Sequence, residues 1–281
     1  MTLAEFLDNH PDAVEVRLAR VRGSAPREAG AGMIVSATAC HGTIGGGQLE
    51  YMMIDAARAM LSRGAARRDL EIPLGPEIGQ CCGGHVAVTL RRMDAAARRA
   101  ARTEAARQDA ARPHVYVMGA GHVGRALAHL LVQMPVRTLV VDSRSAELAL
   151  CPDGVERCES ALPEAEIAHA PPGSAFVILT HDHALDFLLA AQVLSRGDAA
   201  YAGMIGSATK RARLAHWCRD HCDGLRIDAL TCPIGAATRG DKRPEAIAAG
   251  VLAEVTAALA QAATIRSRTL HPSGQKRPGQ P

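Results

Sequence analysis

Over residues 1–92 the apolar positions mostly alternate with polar ones. The segments "VEVRLARV" (14–21), "GMIVSATA" (32–39), "DLEIPL" (69–74) and "HVAVTLRR" (85–92) carry this short period, which predicts half-buried strands. Between the second and third of them the period lengthens. Leu49, Met52, Met53, Ala56, Ala57, Met60 and Leu61 fall on one helical face that Gly64 terminates. From residue 113 the texture changes again: "HVYVMGAGHVGRALAHLLVQM" reads as a continuous apolar strand, a glycine turn and a helix. "RTLVVDSR" (137–144), "AFVILTHDHALDFLLAAQVLS" and "DAAYAGMIGSATKRARLAHWC" repeat apolar strands, the last two with helices behind them. Strands that alternate with helices predict a parallel sheet covered on both faces. A last helix is predicted over 244–263, with Pro244 in its first turn.

The predicted organisation is therefore a small N-terminal α/β domain (1–92), an Ala- and Arg-rich linker helix (93–112), and a parallel-sheet domain (113–263). A basic, disordered tail (264–281) is expected to follow. Net charge is +3, yet residues 91–112 carry seven Arg against three acids and the tail three Arg and one Lys, so the remainder is acidic. With seven aromatic residues in all (Trp 1, Tyr 3, Phe 3) there is little to stack on bases, which argues against nucleic acid as a partner. The start, "MTLAEFLDNHPDAVEV", has acids where a signal peptide needs basic residues. No run approaches 18 uninterrupted apolar residues, so no membrane span is expected. A cytoplasmic setting with reduced thiols suits the eight scattered cysteines.

The candidate chemistry gathers in the turns. Gly119-Ala120-Gly121-His122-Val123-Gly124 follows a predicted strand, opens a helix, and has Asp142 at the end of the next strand. The first glycine allows the turn, the second lets backbone N–H groups approach a phosphate, and the third permits close helix packing. This predicts a Rossmann-like, doubly wound domain, in which Asp142 would meet a hydroxyl or another polar edge of the ligand. "THDHALD" sets His181, Asp182, His183 and Asp186 at the carboxyl edge of the sheet, as ligand contacts, as a histidine pair with a nearby carboxylate for a metal, or, for Asp182, as a helix cap. "MIGSATKRARL" offers Gly206, Ser207, Lys210 and Arg211 at a further strand-to-helix junction. "TIGGGQLE" and "CPIGAATRGDKRPEAIA" supply two more glycine turns of the kind that cradles anions, or that simply turns the chain.

Cys81 and Cys82 stand side by side in "EIGQCCGGH". Neighbouring Cα atoms are ~3.8 Å apart across a trans peptide, whereas an unstrained disulfide prefers about 5.5 Å. A permanent bridge is therefore disfavoured. Two free thiols suit a soft metal, sulfur transfer or redox exchange. No nucleophile elbow or Walker loop accompanies them.

The blocks "VRGSAPREAGAGMIV", "TIGGGQLE", "GQCCGG", "GAGHVGRALA", "VVDSR", "THDHALD", "MIGSATKRARL" and "CPIGAATRGDKRPEAIA", in this order from about residue 16 to 250, resemble the xanthine dehydrogenase accessory protein family, XdhC. The resemblance implies a maturation factor more than a metabolic enzyme. Such a protein binds molybdenum cofactor in its molybdopterin form, holds it while a cysteine desulfurase exchanges an oxygen for sulfur, and delivers it to apo-xanthine dehydrogenase. It implies Cys81 and Cys82 as the metal-facing or sulfur-carrying residues, Gly119, Gly121 and Gly124 at the phosphate end, Asp142 on a polar edge of the ligand, His122 among the cofactor contacts, and a homodimer. Two other readings of the residues stay open: an NAD(P)-dependent oxidoreductase using the same fingerprint with His181 or His183 as acid–base, and a thiol-based redox sensor.

Overall fold

The computed structural model describes residues 1–76, 83–238 and 240–270, with side chains to Ile265. Cys81 and Cys82, and the tail from 271 on, lie outside the described residues. The chain divides into two compact units, Met1–Ala111 and Arg112–Pro281.

The first unit is an antiparallel sheet of β1 (Ala13–Arg22), β2 (Gly32–Ser36), β3 (Cys40–Gly42), β4 (Arg67–Pro73) and β5 (His85–Arg92), in the order β3-β2-β1-β5-β4. Alternation does what the sequence predicts. Val14, Val16 and Leu18 of β1, with Val86, Val88 and Leu90 of β5, turn inward against Leu49, Met53, Ala57 and Met60 of α2 (Gly47–Arg63). The register shifts between Leu18 and Arg20, a bulge in β1. Outward-facing positions are paved with ion pairs: Glu15 accepts from Arg17 and Arg91, and Glu71 from Arg20. A smaller cluster closes part of this unit, where Phe6 and Leu7 of α1 (Leu3–Asn9) meet Ala13, Ile34, Met93 and Ala97.

The Ala- and Arg-rich helix forms as α3 (Ala95–Ala110), capped by Asp94. It differs from the expected linker in belonging to the first unit. Ala97 is buried with α1, and the Arg98 guanidinium donates to the carbonyls of Leu7, His10 and Pro11. With Arg102 paired to Asp8 at 2.6 Å and Ala101 packed beside Ala97, these bonds dock a helix that has almost no apolar stripe.

The second unit is a parallel sheet of β6 (His114–Met118), β7 (Arg137–Asp142), β8 (Glu156–Glu159), β9 (Ala175–Ile178), β10 (Tyr201–Met204) and β11 (Leu230–Thr231), in the order β11-β10-β9-β6-β7-β8. Each neighbouring pair, β11–β10, β10–β9, β9–β6, β6–β7 and β7–β8, is parallel. Numbered within the unit, that order is 3-2-1-4-5-6, the doubly wound arrangement whose direction reverses between β6 and β9. α6 (Pro163–His169), α7 (His183–Arg196) and α8 (Ala208–His221) pack with one core around Met118, Phe176 and Ile178. α4 (His122–Leu131), α5 (Ser145–Ala149) and α9 (Pro244–Leu270) pack with the other, around Val115, Val117 and Val177.

By length and composition the Pro244–Ile265 stretch of α9 is apolar enough to cross a membrane, with mean hydropathy 1.6, which an unbroken apolar run as the criterion did not detect. Its Ala248, Val251 and Val255 are fully or almost fully buried in the core, and Glu254 in its middle accepts from the Tyr201 hydroxyl at 2.6 Å and the Ala236 N–H at 2.7 Å. One face of it packs in the core, and 22% of the apolar window is buried. It also continues past residue 263, where the disordered tail was expected to begin.

Candidate functional site

The sheet reverses where β6 and β9 diverge, and the glycine fingerprint leaves β6 there. Gly119 has φ +129°, and a Cβ on it would lie 2.5 Å from the Leu179 carbonyl oxygen, so only glycine fits beside the end of β9. A Cβ on Gly124 would lie 2.0 Å from the Gly119 carbonyl oxygen, which fixes how closely α4 approaches the turn. Gly121 is different. Its φ is an ordinary −67°, and a Cβ there would meet nothing within 4 Å. The fold does not require glycine at 121, and the open space leaves the backbone N–H groups at the start of α4 accessible.

Asp142, at the end of β7, is turned into this loop. One of its oxygens accepts from the Ala120 N–H at 2.7 Å, and Arg144 closes on both, through Nε at 2.9 Å and a terminal nitrogen at 2.8 Å. The Arg144 N–H adds a fourth bond at 3.0 Å. Burial opposes the charge, but the Arg144 guanidinium and the N–H groups of Ala120 and Arg144 outweigh it and hold this carboxyl down at about 2. The sequence placed Asp142 on a ligand hydroxyl. In the structure it first braces the fingerprint, and Arg144, not singled out from the sequence, is the group of this pair that reaches solvent, its side chain 37% exposed against 4%. A small cavity of about 100 Å³ opens beside it, lined by Gly119, Asp142, Ser143, Ser160, Glu164 and His181 among others.

"THDHALD" divides between tasks. Asp182 caps α7, accepting from the Ala184 N–H at 2.7 Å. His181 lines the small cavity, whereas His183 lines a larger one between α7 and α8. The pair therefore does not converge on one point, and no group of three His, Cys, Asp or Glu suited to a metal occurs among the described residues. Asp186, fully buried, accepts from the Thr180 N–H at 3.0 Å, the Thr180 hydroxyl at 2.7 Å and the Lys210 ammonium.

Lys210, read as an anion contact, is thus the counter-charge of Asp186, and it also donates to the Ile205 carbonyl at 3.0 Å. A Cβ on Gly206 would come within 2.7 Å of the Lys210 side chain as it passes, so a larger residue there would have to shift that lysine. Ser207 caps α8 through the Lys210 N–H. The Arg211 guanidinium is bonded to the carbonyls of Leu230 and Ile227, at 2.7 and 3.3 Å, and lines neither cavity.

The other two glycine turns hold internal anions. In "TIGGGQLE" one Glu50 oxygen accepts from the Thr43 hydroxyl at 2.6 Å, the Ile44 N–H at 3.1 Å and the Gly46 N–H at 3.0 Å. Burial raises the Glu50 pKa, but these donors prevail and the net shift is downward. In "CPIGAATRGDKRPEAIA", Glu254 takes the Ala236 N–H. Gly235 and Gly250 are needed because the turn lies directly on α9: a Cβ on Gly250 would be 2.8 Å from the Gly235 Cα. The glycines after the cysteine pair are also backbone contacts. A Cβ on Gly84 would lie 2.0 Å from the Ser24 carbonyl oxygen, and Gly83 and Gly84 bond with Leu74 at 2.9 and 2.8 Å.

A doubly wound domain with a ligand-open glycine turn, following an antiparallel α/β unit, defines the class: a two-domain protein with a Rossmann-type binding module. Residues 115–255 match the model of the XdhC Rossmann domain, and residues 7–71 that of the XdhC and CoxI family. The chain belongs to the XdhC family. It is similar in fold to a crystal structure described as a xanthine dehydrogenase from Bacillus halodurans, with TM-score 0.77 and 18% identity over 100% of this chain and 98% of that one. No curated protein matches the chain. The family assignment points to an accessory role beside xanthine dehydrogenase.

Proposed function

We propose that this protein holds a phosphorylated pterin, molybdenum cofactor, and hands it to apo-xanthine dehydrogenase after sulfuration by a cysteine desulfurase. The observation that carries the reading is Gly121: an ordinary φ and open space where a side chain would stand, at the first turn of a helix with no acid in it. Those are the conditions for a phosphate on backbone N–H groups. The charge of Asp142 beside it is balanced by Arg144, so it does not oppose an anion. In this reading Gly119, Gly121, His122 and Gly124 form the phosphate end. Cys81 and Cys82 supply soft thiolates toward molybdenum or carry the transferred sulfur. A cytoplasmic homodimer completes the proposal.

The test is pterin retention. Reduced protein is incubated with molybdenum cofactor and desalted, and oxidised pterin fluorescence is read in the protein fraction, alongside Cys81→Ala/Cys82→Ala and Gly121→Ala. Near-stoichiometric pterin in the wild type, lost in Gly121→Ala, supports the phosphate assignment, and loss in the double cysteine variant supports the thiol assignment. No retention by the wild type refutes the cofactor reading. The strand order favours a second ligand class, nicotinamide dinucleotides. A ribose hydroxyl at Asp142 would then have to displace Arg144.

A further inference from the structure

The place a nucleoside would take beside the fingerprint is filled by the chain itself. In a doubly wound domain the acid that ends the second strand offers its oxygens to a ribose diol. Asp142 is that acid here, and a carboxylate has about four lone-pair sites. Four donors already occupy them: the Ala120 N–H and a terminal nitrogen of Arg144 on one oxygen, the Arg144 N–H and Nε on the other. The clamp is local and braced. Arg144 stands two residues from Asp142, and its carbonyl accepts from the N–H groups of Glu147 at 3.1 Å and Leu148 at 3.2 Å as α5 begins. Glu147 pairs with Arg125, which donates to the Ala120 carbonyl at 2.8 Å, so both backbone groups of Ala120 are tied into the same network.

Space and charge agree. The cavity beside Asp142 is about 100 Å³. That is room for a few waters, whereas sites for small molecules run to ~300–1,000 Å³. Pro163 and Glu164, in the first turn of α6, stand among its walls. A ribose arriving here would have to pull a guanidinium fork off a carboxylate only 4% exposed, and would leave Arg144 without its counter-charge. At Gly121 nothing of the kind stands in the way. The space beyond its Cα is open, and the helix that follows has no acid in its first turn.

We propose that Arg144 sets specificity at this turn: it admits a ligand that ends in a bare phosphate and turns away one that continues from its phosphate into a nucleoside. The inference rests on the reading of Gly121 as a phosphate seat and adds the class of ligand that the seat refuses. The experiment titrates NADH and ADP-ribose into full-length wild type, Arg144→Ala, Arg144→Lys and Asp142→Asn/Arg144→Ala, followed by NADH fluorescence and calorimetry. Arg144→Ala frees the carboxylate and should bind both compounds about tenfold or more tightly than wild type. Arg144→Lys keeps a cation but not the fork, so a smaller gain of the same sign is expected, which preserves the test should Arg144→Ala fold poorly. The double variant lacks the acceptor and should lose the gain, an effect that a merely loosened loop would not produce. Wild type that binds NADH as tightly as Arg144→Ala overturns the proposal, as does a gain that survives in the double variant. Pterin retained by wild type, with no gain in either single variant, refutes this inference and keeps the cofactor reading. A gain in Arg144→Ala with no pterin retained by wild type refutes the cofactor reading and keeps Arg144 as the barrier.

Discussion

Replacing each fingerprint glycine by alanine separates what the fold needs from what a ligand needs. At Gly124 the new methyl would stand 2.0 Å from a backbone oxygen, which no side-chain rotation relieves. Overpacking of that kind costs about 3 kcal/mol or more. At Gly119 the 2.5 Å approach to the Leu179 carbonyl is joined by φ +129°, which an L side chain adopts only under strain of ~1–3 kcal/mol. At Gly121 neither cost arises. Losing a glycine N-cap costs some ~0.5–1 kcal/mol, and restricting the unfolded chain returns ~0.4–1 kcal/mol, so the net change stays within about 1 kcal/mol. For a domain of this size 1 kcal/mol moves Tm by roughly 2–4 °C. Gly121→Ala should therefore melt within about 4 °C of wild type and Gly124→Ala at least ~6 °C lower. Pterin retention should nevertheless fall at least tenfold (~1.4 kcal/mol) in Gly121→Ala, because the methyl fills the space a phosphate would use. Thermal melts and the retention assay on the same preparations decide it. If Gly121→Ala is as unstable as Gly124→Ala, or keeps its pterin, the assignment of the second glycine to a ligand is wrong.

Three further perturbations test the polar framework. Lys210→Met strands the fully buried Asp186 and should cost ~3–5 kcal/mol in urea unfolding, with part regained in Asp186→Leu/Lys210→Met; a loss under ~1 kcal/mol would mean the pair is not desolvated as described. Glu50→Ala leaves the Thr43 hydroxyl and the Ile44 and Gly46 N–H groups without their acceptor. Sulfate should then raise its Tm more than that of wild type, and equal salt responses would contradict an internal anion in that turn. Asp142, depressed to about 2 from 3.8, contributes stability that is present above pH ~4 and lost as pH falls toward 2, up to ~2 kcal/mol. Asp142→Asn should flatten acid unfolding in that window, and an unchanged profile would place the acid sensitivity elsewhere.

Periodicity made the two sheets legible because it follows burial, which β1, β5 and the central strands of the parallel sheet satisfy simply. It failed for β8, whose Glu156, Arg157 and Glu159 side chains are exposed on an edge strand and leave no apolar signature. It also misplaced α3, since docking there rests on Arg98 reaching three carbonyls, Arg102 reaching Asp8 and two small alanines, contacts across some ninety residues that no local pattern encodes. The fingerprint was legible because its spacing is local. The partners of its polar groups were not: Asp142 looked available to a ligand until Arg144 closed on it.

What distinguishes a turn built for the fold from one left for a ligand is where the nearest internal charge comes to rest. In sequence, "TIGGGQLE", "CPIGAATRG" and "GAGHVG" look equally able to receive an anion. The first is satisfied by Glu50 on the helix it opens, and the second by Glu254 from the middle of α9. In the third, Asp142 takes only the Ala120 N–H and is itself neutralised, while the first turn of α4 contains no acid. The cations sort in the same way. Lys210 and Arg211 are engaged with the chain's own oxygens. An incoming anion would have to displace an internal carboxylate at the first two turns, at a cost of the kind that leaving a buried acceptor unpaired incurs. At the first turn of α4 no internal carboxylate stands in the way, so an anion would be favoured there over the other two glycine turns.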